Sequence, residues 1–128
     1  MSDKFETIST DQAPAAIGPY SQAVKHNDLL FLSGQIPLEP ATMEVVSGDA
    51  VVQTKQVLEN ISQVLAAADL RLTDVVKTTL YISDMGQFEK INEAYSNYFN
   101  DHKPARSCVE VAKLPKDVAI EMEVIAAF

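Results

Sequence analysis

Apolar residues in this chain follow a helical period in only two stretches and a strand period in six, and that imbalance constrains the fold more than any other feature. From Asp49, a candidate N-cap, Val57, Leu58, Ile61, Val64, Leu65 and Ala68 recur on one face with polar residues between them, which predicts an amphipathic helix. A second helix is predicted after Ser83-Asp84, with Phe88, Ile91, Tyr95, Tyr98 and Phe99 on one side and Pro104 to stop it. Strands are predicted at Phe5 to Ser9, Tyr20 to Lys25, Leu29 to Ser33, Val75 to Ile82, Ser107 to Val111 and Val118 to Ala126. His26-Asn27-Asp28 reads as a hairpin turn, and Asp11 to Pro19 and Ile36 to Gly48 as loops. The order is β-β-β-α-β-α-β-β, an α+β arrangement.

Two helices cannot cover both faces of a six-stranded sheet. On the last strand Val118, Ile120, Met122 and Val124 fall to one side and Ala119, Glu121, Glu123 and Ile125 to the other. The face away from the helices needs a cover, and self-association around a symmetry axis is the economical one. A homo-oligomer with clefts between subunits is expected.

With 128 residues, 47% of them hydrophobic, the chain suits a single domain spanning 1–128 that needs no staple. Its one cysteine, Cys108, closes no intrachain disulfide, and a reducing compartment, most simply the cytoplasm, is the expected location. The N-terminus shows no secretory pattern, and no apolar run is long enough to span a bilayer. Lys+Arg 10 against Asp+Glu 18 leaves a net charge of −8 with the cations scattered, which disfavours nucleic-acid binding and docking on anionic membranes.

There is no Gly-rich phosphate loop, no Gly-x-Ser-x-Gly elbow and no His-Glu-x-x-His, so no metal site is expected. His26 and His102 read as solvated surface histidines. Arg106, set by Pro104 at the start of a strand, suits a two-pronged grip on a carboxylate; the ordinary alternative is a surface ion pair. If the two C-terminal strands pair as a hairpin near Pro115, Cys108 and Glu121 come opposite each other with Arg106 diagonal to them. Glu121 could then be a general base for water, against the alternative of an exposed strand face, and Cys108 a small buried hydrophobe or a thiol.

Pro104-Ala105-Arg106-Ser107-Cys108-Val109-Glu110-Val111, followed by Ile120-Glu121-Met122, resembles the C-terminal signature of the RidA/YjgF reactive intermediate deaminases. Ala16 to Ala23, Phe31 to Pro37, Val76 to Tyr81 and the second helix through Tyr95 match the same family, so the resemblance spans essentially the whole chain. It implies a chorismate-mutase-like fold with a mixed six-stranded sheet and two helices on one face. It also implies a homotrimer with a barrel-like centre and sites in the subunit clefts. The implied activity is cofactor-free hydrolysis of 2-imino acids, such as 2-iminobutanoate and 2-iminopropanoate from pyridoxal-phosphate-dependent dehydratases, to 2-keto acids and ammonia.

By the same resemblance Arg106 holds the substrate carboxylate and Glu121 positions and activates water. Tyr20, Ser33 and Asn92 line the pocket, and backbone groups near Gly34 and Cys108 bind the imino end and the water. Core packing or capping competes for Tyr20 and Asn92. One departure stands out: many relatives have Phe-Pro before the Ala-Arg pair, where this chain has Lys103-Pro104. Two alternatives belong to other classes. One is a non-catalytic trimer that binds a metabolite or partner in a regulatory or chaperone-like role, for which Arg106 and Glu121 together would have no use. The other is endoribonuclease activity, against which the acidic charge and the lack of a clustered basic face speak.

Overall fold

A computed structural model describes residues 4–128. Its strands are β1 (Glu6–Ile8), β2 (Ala23–His26), β3 (Leu29–Leu32), β4 (Val75–Ile82), β5 (Ala105–Glu110) and β6 (Ile120–Ala127), with helices α1 (Ala50–Ala67) and α2 (Phe88–Phe99). One six-stranded sheet runs β1-β2-β3-β6-β4-β5; β4 and β5 are parallel and every other pair is antiparallel. The element order and mixed α+β sheet are those expected, with strand ends shifted by a few residues.

Local chemistry sets most boundaries. Asp49 Oδ1 accepts from the Val51 and Val52 amides at 3.1 Å, capping α1. Asn27 adopts φ 53° in the two-residue β2–β3 turn, a left-handed conformation that asparagine tolerates. Asp84 accepts from the Gly86 amide and so caps the short 3₁₀ turn Met85–Gln87 ahead of α2 rather than α2 itself. Nor does Pro104 end α2: Asn100, at φ 55°, already turns the chain out of the helix.

The expected C-terminal hairpin is not formed. β4 lies between β5 and β6, with Leu80 facing Cys108 on one side and Met122 on the other. The reason is topological: α2 carries the chain back along β4, so β5 returns parallel to it and takes its open edge, leaving the other side of β4 for β6. Glu121 therefore pairs with Tyr81, and Arg106 with Thr78.

Both helices pack on one face. Val57, Leu58, Ile61, Val64 and Leu65 of α1 and Ile91, Tyr95 and Phe99 of α2 are buried against Leu30, Leu80, Ile82, Ile120, Met122 and Val124. β6 alternates as the sequence predicts: Ile120, Met122, Val124 and Ala126 are buried, while Glu121, Glu123, Ile125 and Ala127 are half-buried on the opposite face. That face also carries Phe31, which pairs with Ile125 and is 41% exposed, and Val109, 44% exposed. The 36–48 loop is better anchored than a surface loop need be, because buried Asn60 of α1 donates to the Leu38 carbonyl at 3.0 Å.

Candidate active site

The residues expected to act together form two groups on opposite faces of the sheet. Paired residues of neighbouring strands point to the same side. Arg106 and Cys108, opposite buried Thr78 and Leu80, therefore point to the helix side. Glu121, opposite Tyr81, points to the uncovered side.

On the helix side, Arg106 Nη1 donates to Asn92 Oδ1 at 2.6 Å, and its guanidinium carbon lies 4.9 Å from the centre of the Tyr95 ring and 5.5 Å from that of Phe88. Asn92 lies one helical turn before Ser96, and its amide oxygen aims the guanidinium. Tyr95 is buried core, as expected, but its hydroxyl also bonds Thr78 Oγ1 at 2.9 Å, which fixes the ring beneath Arg106. A guanidinium has five N–H donors, so the single bond to Asn92 leaves a fork open to an outside carboxylate. Cys108 is half-buried; burial pushes its thiol above the ordinary value, against an opposing pull from Arg106. A thiol tuned that way is a poor nucleophile.

On the other side, Gln35 exchanges backbone hydrogen bonds with Met122 (2.8 and 3.1 Å), which lays Ser33-Gly34-Gln35 alongside Glu121. A Cβ on Gly34 would overlap the Glu121 carboxylate, so the glycine is what lets Oε2 lie against the backbone there. Ser33 Oγ donates to the Ser21 carbonyl at 2.6 Å, and exposed Tyr20 borders the same cavity of about 500 Å³, together with Gly34, Gln35 and Glu121. Buried Gln22 holds this loop by bonding the carbonyls of Thr10 and Pro14 and the Thr10 amide. Burial raises the Glu121 carboxyl above its ordinary range, and the neighbouring Glu123 charge adds to the effect.

Three contributors were not singled out from the sequence. Tyr81 donates to Glu123 Oε1 at 2.7 Å, holding the second carboxylate beside the first. Gln35 and Gln22 fix the loop. The Glu121/Glu123 pairing was readable from two-residue spacing on a strand; the loop anchors left no periodic signal. His102 is half-buried with Nε2 2.6 Å from the Val75 carbonyl oxygen, so it is not the solvated surface histidine expected. A carbonyl can only accept, so Nε2 carries the proton. No group of three or more His, Cys, Asp or Glu among the described residues could hold a metal ion, and none of their helices is long and apolar enough to cross a membrane.

The cavity bordered by Arg106 and Asn92 and the one bordered by Tyr20, Ser33, Gly34 and Glu121 share no residue. Arg106 and Glu121 are also separated by β4, two strand spacings or about 9.5 Å across the sheet. Within one chain, Arg106 and Glu121 thus border separate cavities on opposite faces of the sheet.

Comparison with known proteins fits both halves into one lineage. Residues 10–128 match the family described as Endoribonuclease L-PSP. A RutC family protein of Pyrococcus horikoshii is 56% identical over 121 residues, covering 94% of this chain and 96% of that one. The 2-iminobutanoate/2-iminopropanoate deaminase of Escherichia coli is 48% identical over 124 residues, covering 94% and 96%. Among solved structures, a Thermotoga maritima protein described as a putative endoribonuclease aligns with TM-score 0.94 at 50% identity, covering 96% and 97%. E. coli TdcF with bound serine aligns with TM-score 0.91 at 44% identity, covering 96% and 98%. With the match running through the residues of both cavities at this identity, the chain belongs to the YjgF/RidA family, the group that the Endoribonuclease L-PSP description covers.

Proposed function

We propose that the protein hydrolyses small 2-imino acids, 2-iminobutanoate and 2-iminopropanoate among them, to 2-keto acids and ammonia, in sites assembled between copies of the chain. The observation that carries this reading is that one chain presents both an open guanidinium fork at Arg106 and, on the opposite face of the sheet, a half-buried carboxylate of raised proton affinity at Glu121. The 48% identical E. coli deaminase supports the chemistry, and the serine bound in TdcF supports a site for small α-carboxylates.

Arg106, aimed by Asn92 and Tyr95, holds the substrate carboxylate and so fixes C2, the imine carbon. Glu121 of a neighbouring copy takes a proton from water as its oxygen bonds to C2 and the C=N electron pair moves to nitrogen. Glu121 then returns the proton to nitrogen, giving a carbinolamine; it next takes the carbinol hydroxyl proton as C=O forms and passes it to the amino nitrogen as the C–N bond breaks, and ammonia departs. A carboxyl raised by burial suits both halves of that shuttle. An imine carbon is already electrophilic, so the sequence of steps asks only for orientation and proton transfer. In this reading Tyr20 and Ser33 line the pocket from the Glu121 side, while the backbone at Gly34 and Cys108 meets the imino group and water. A trimer whose uncovered sheet faces pack inward would join the half-sites and bury Phe31 and Val109.

The test is a coupled assay in which threonine dehydratase generates 2-iminobutanoate while semicarbazide competes for it. Wild type should accelerate keto-acid formation over the blank, and Arg106→Ala should lose about 100-fold or more in kcat/KM, the cost of two charge-assisted hydrogen bonds. Because Arg106 is exposed, the variant should unfold at the wild-type denaturant midpoint. No acceleration by wild type would leave a ligand-binding trimer as the better account.

A further inference from the structure

The cavity beside Arg106 extends past the guanidinium between α2 and the segment leading into β5. It measures about 420 Å³, and its border includes Asn92, Ser96, Asn100, His102, Lys103 and Arg106. Two of the lining residues are cations and none is an acid, in a chain where Asp+Glu outnumber Lys+Arg 18 to 10. Neither Lys103 nor Arg106 has an ion-pair partner among the described residues. The backbone around Lys103 is nevertheless fixed: the His102 amide donates to the Phe99 carbonyl at 3.0 Å, its ring is tied to Val75, and Pro104 follows. Unpaired cations in one concavity concentrate anions there. Pockets of this size accept ligands larger than a four-carbon monocarboxylate, so space and positive charge both remain after Arg106 has taken one carboxylate.

We propose that this pocket selects the imines of acidic amino acids, with Arg106 on the α-carboxylate and Lys103 on the distal one. The inference rests on the imine-hydrolase reading above. A lysine suits the distal position because its flexible stem and three donors follow a carboxylate at variable reach, whereas the planar fork of Arg106 demands a fixed one. The reaction is unchanged: one water adds, the C–N bond breaks, and a 2-keto dicarboxylate and ammonia leave. Its substrates would come from oxidation of acidic amino acids at the α-carbon.

The experiment compares kcat/KM for 2-iminoglutarate, generated by an amino-acid oxidase acting on glutamate, with that for 2-iminobutanoate, in wild type and in Lys103→Gln, Lys103→Glu and Lys103→Arg. The ratio of the two should fall about tenfold in Lys103→Gln, an effect of about 1.4 kcal/mol. It should fall further in Lys103→Glu and stay near wild type in Lys103→Arg. Raising the salt to about 0.5 M should narrow the wild-type ratio. A ratio unmoved by Lys103→Gln, or a wild type that hydrolyses 2-iminobutanoate but not 2-iminoglutarate, overturns the proposal and leaves imine hydrolysis standing. If wild type hydrolyses neither imine, the hydrolase reading itself falls and this proposal falls with it.

Discussion

Glu121 sits under two influences that raise its proton affinity, burial first and the charge of Glu123 second, and a near-isosteric Glu123→Gln change removes the second. In the proposed reaction Glu121 is the base in water attack and must be ionised, so activity should fall as pH drops through a value above the ordinary 4.5. Glu123→Gln removes a raising influence, and the acid limb of the kcat/KM profile should move to lower pH. Substrate protonation is the same for both proteins, so the difference between their profiles isolates the carboxyl; identical limbs would mean another group sets it. Gly34 offers a steric counterpart. Its backbone shows no positive φ, so alanine is tolerated by the main chain, but the new Cβ displaces the Glu121 carboxylate. Gly34→Ala should cost about 100-fold in kcat while the unfolding midpoint stays near wild type, because a misplacement of order an ångström is enough.

At the level of elements, α1 carries the helix side of the core through Val57, Leu58, Ile61, Val64 and Leu65 and has no acidic residue in its first turn, so its N-terminus depends on Asp49. Asp49→Ala should lower stability by about 1 kcal/mol, seen as a reduced urea midpoint with unchanged slope. This helix, its cap and the alternation of β6 were legible because each is written in residues close along the chain. Where the reading failed, the cause was non-local. Nothing in Ser107 to Val111 or Val118 to Ala126 says that β4, about 30 residues earlier, will come between them; that follows from α2 returning the chain to the open edge of β4. The error carried into the site, since the hairpin would have set Glu121 opposite Cys108 on one face, whereas the real register sends Arg106 and Glu121 to opposite faces. His102 was misjudged for the same reason, its partner Val75 lying 27 residues away.

Across the whole molecule, the uncovered sheet face and the separation of Arg106 from Glu121 bear on the same proposal, a site assembled between copies. Phe31, Val109 and Ile125 lie on the face the helices leave open, which is the face that carries Glu121, while Arg106 stands at the sheet edge on the other side. If copies associate so that one chain's Arg106 meets another's Glu121, two variants each crippled at one residue can rescue each other. Arg106→Ala and Glu121→Gln should each be inactive alone and inactive when mixed without subunit exchange. After co-expression in equal amounts, random assembly gives about a quarter of the sites both intact residues, and about that fraction of wild-type activity should return. A site built within one chain never regains both residues by mixing, so recovery at the level of the blank would place Arg106 and Glu121 in the same subunit and remove the reason for assembly that the divided site supplies.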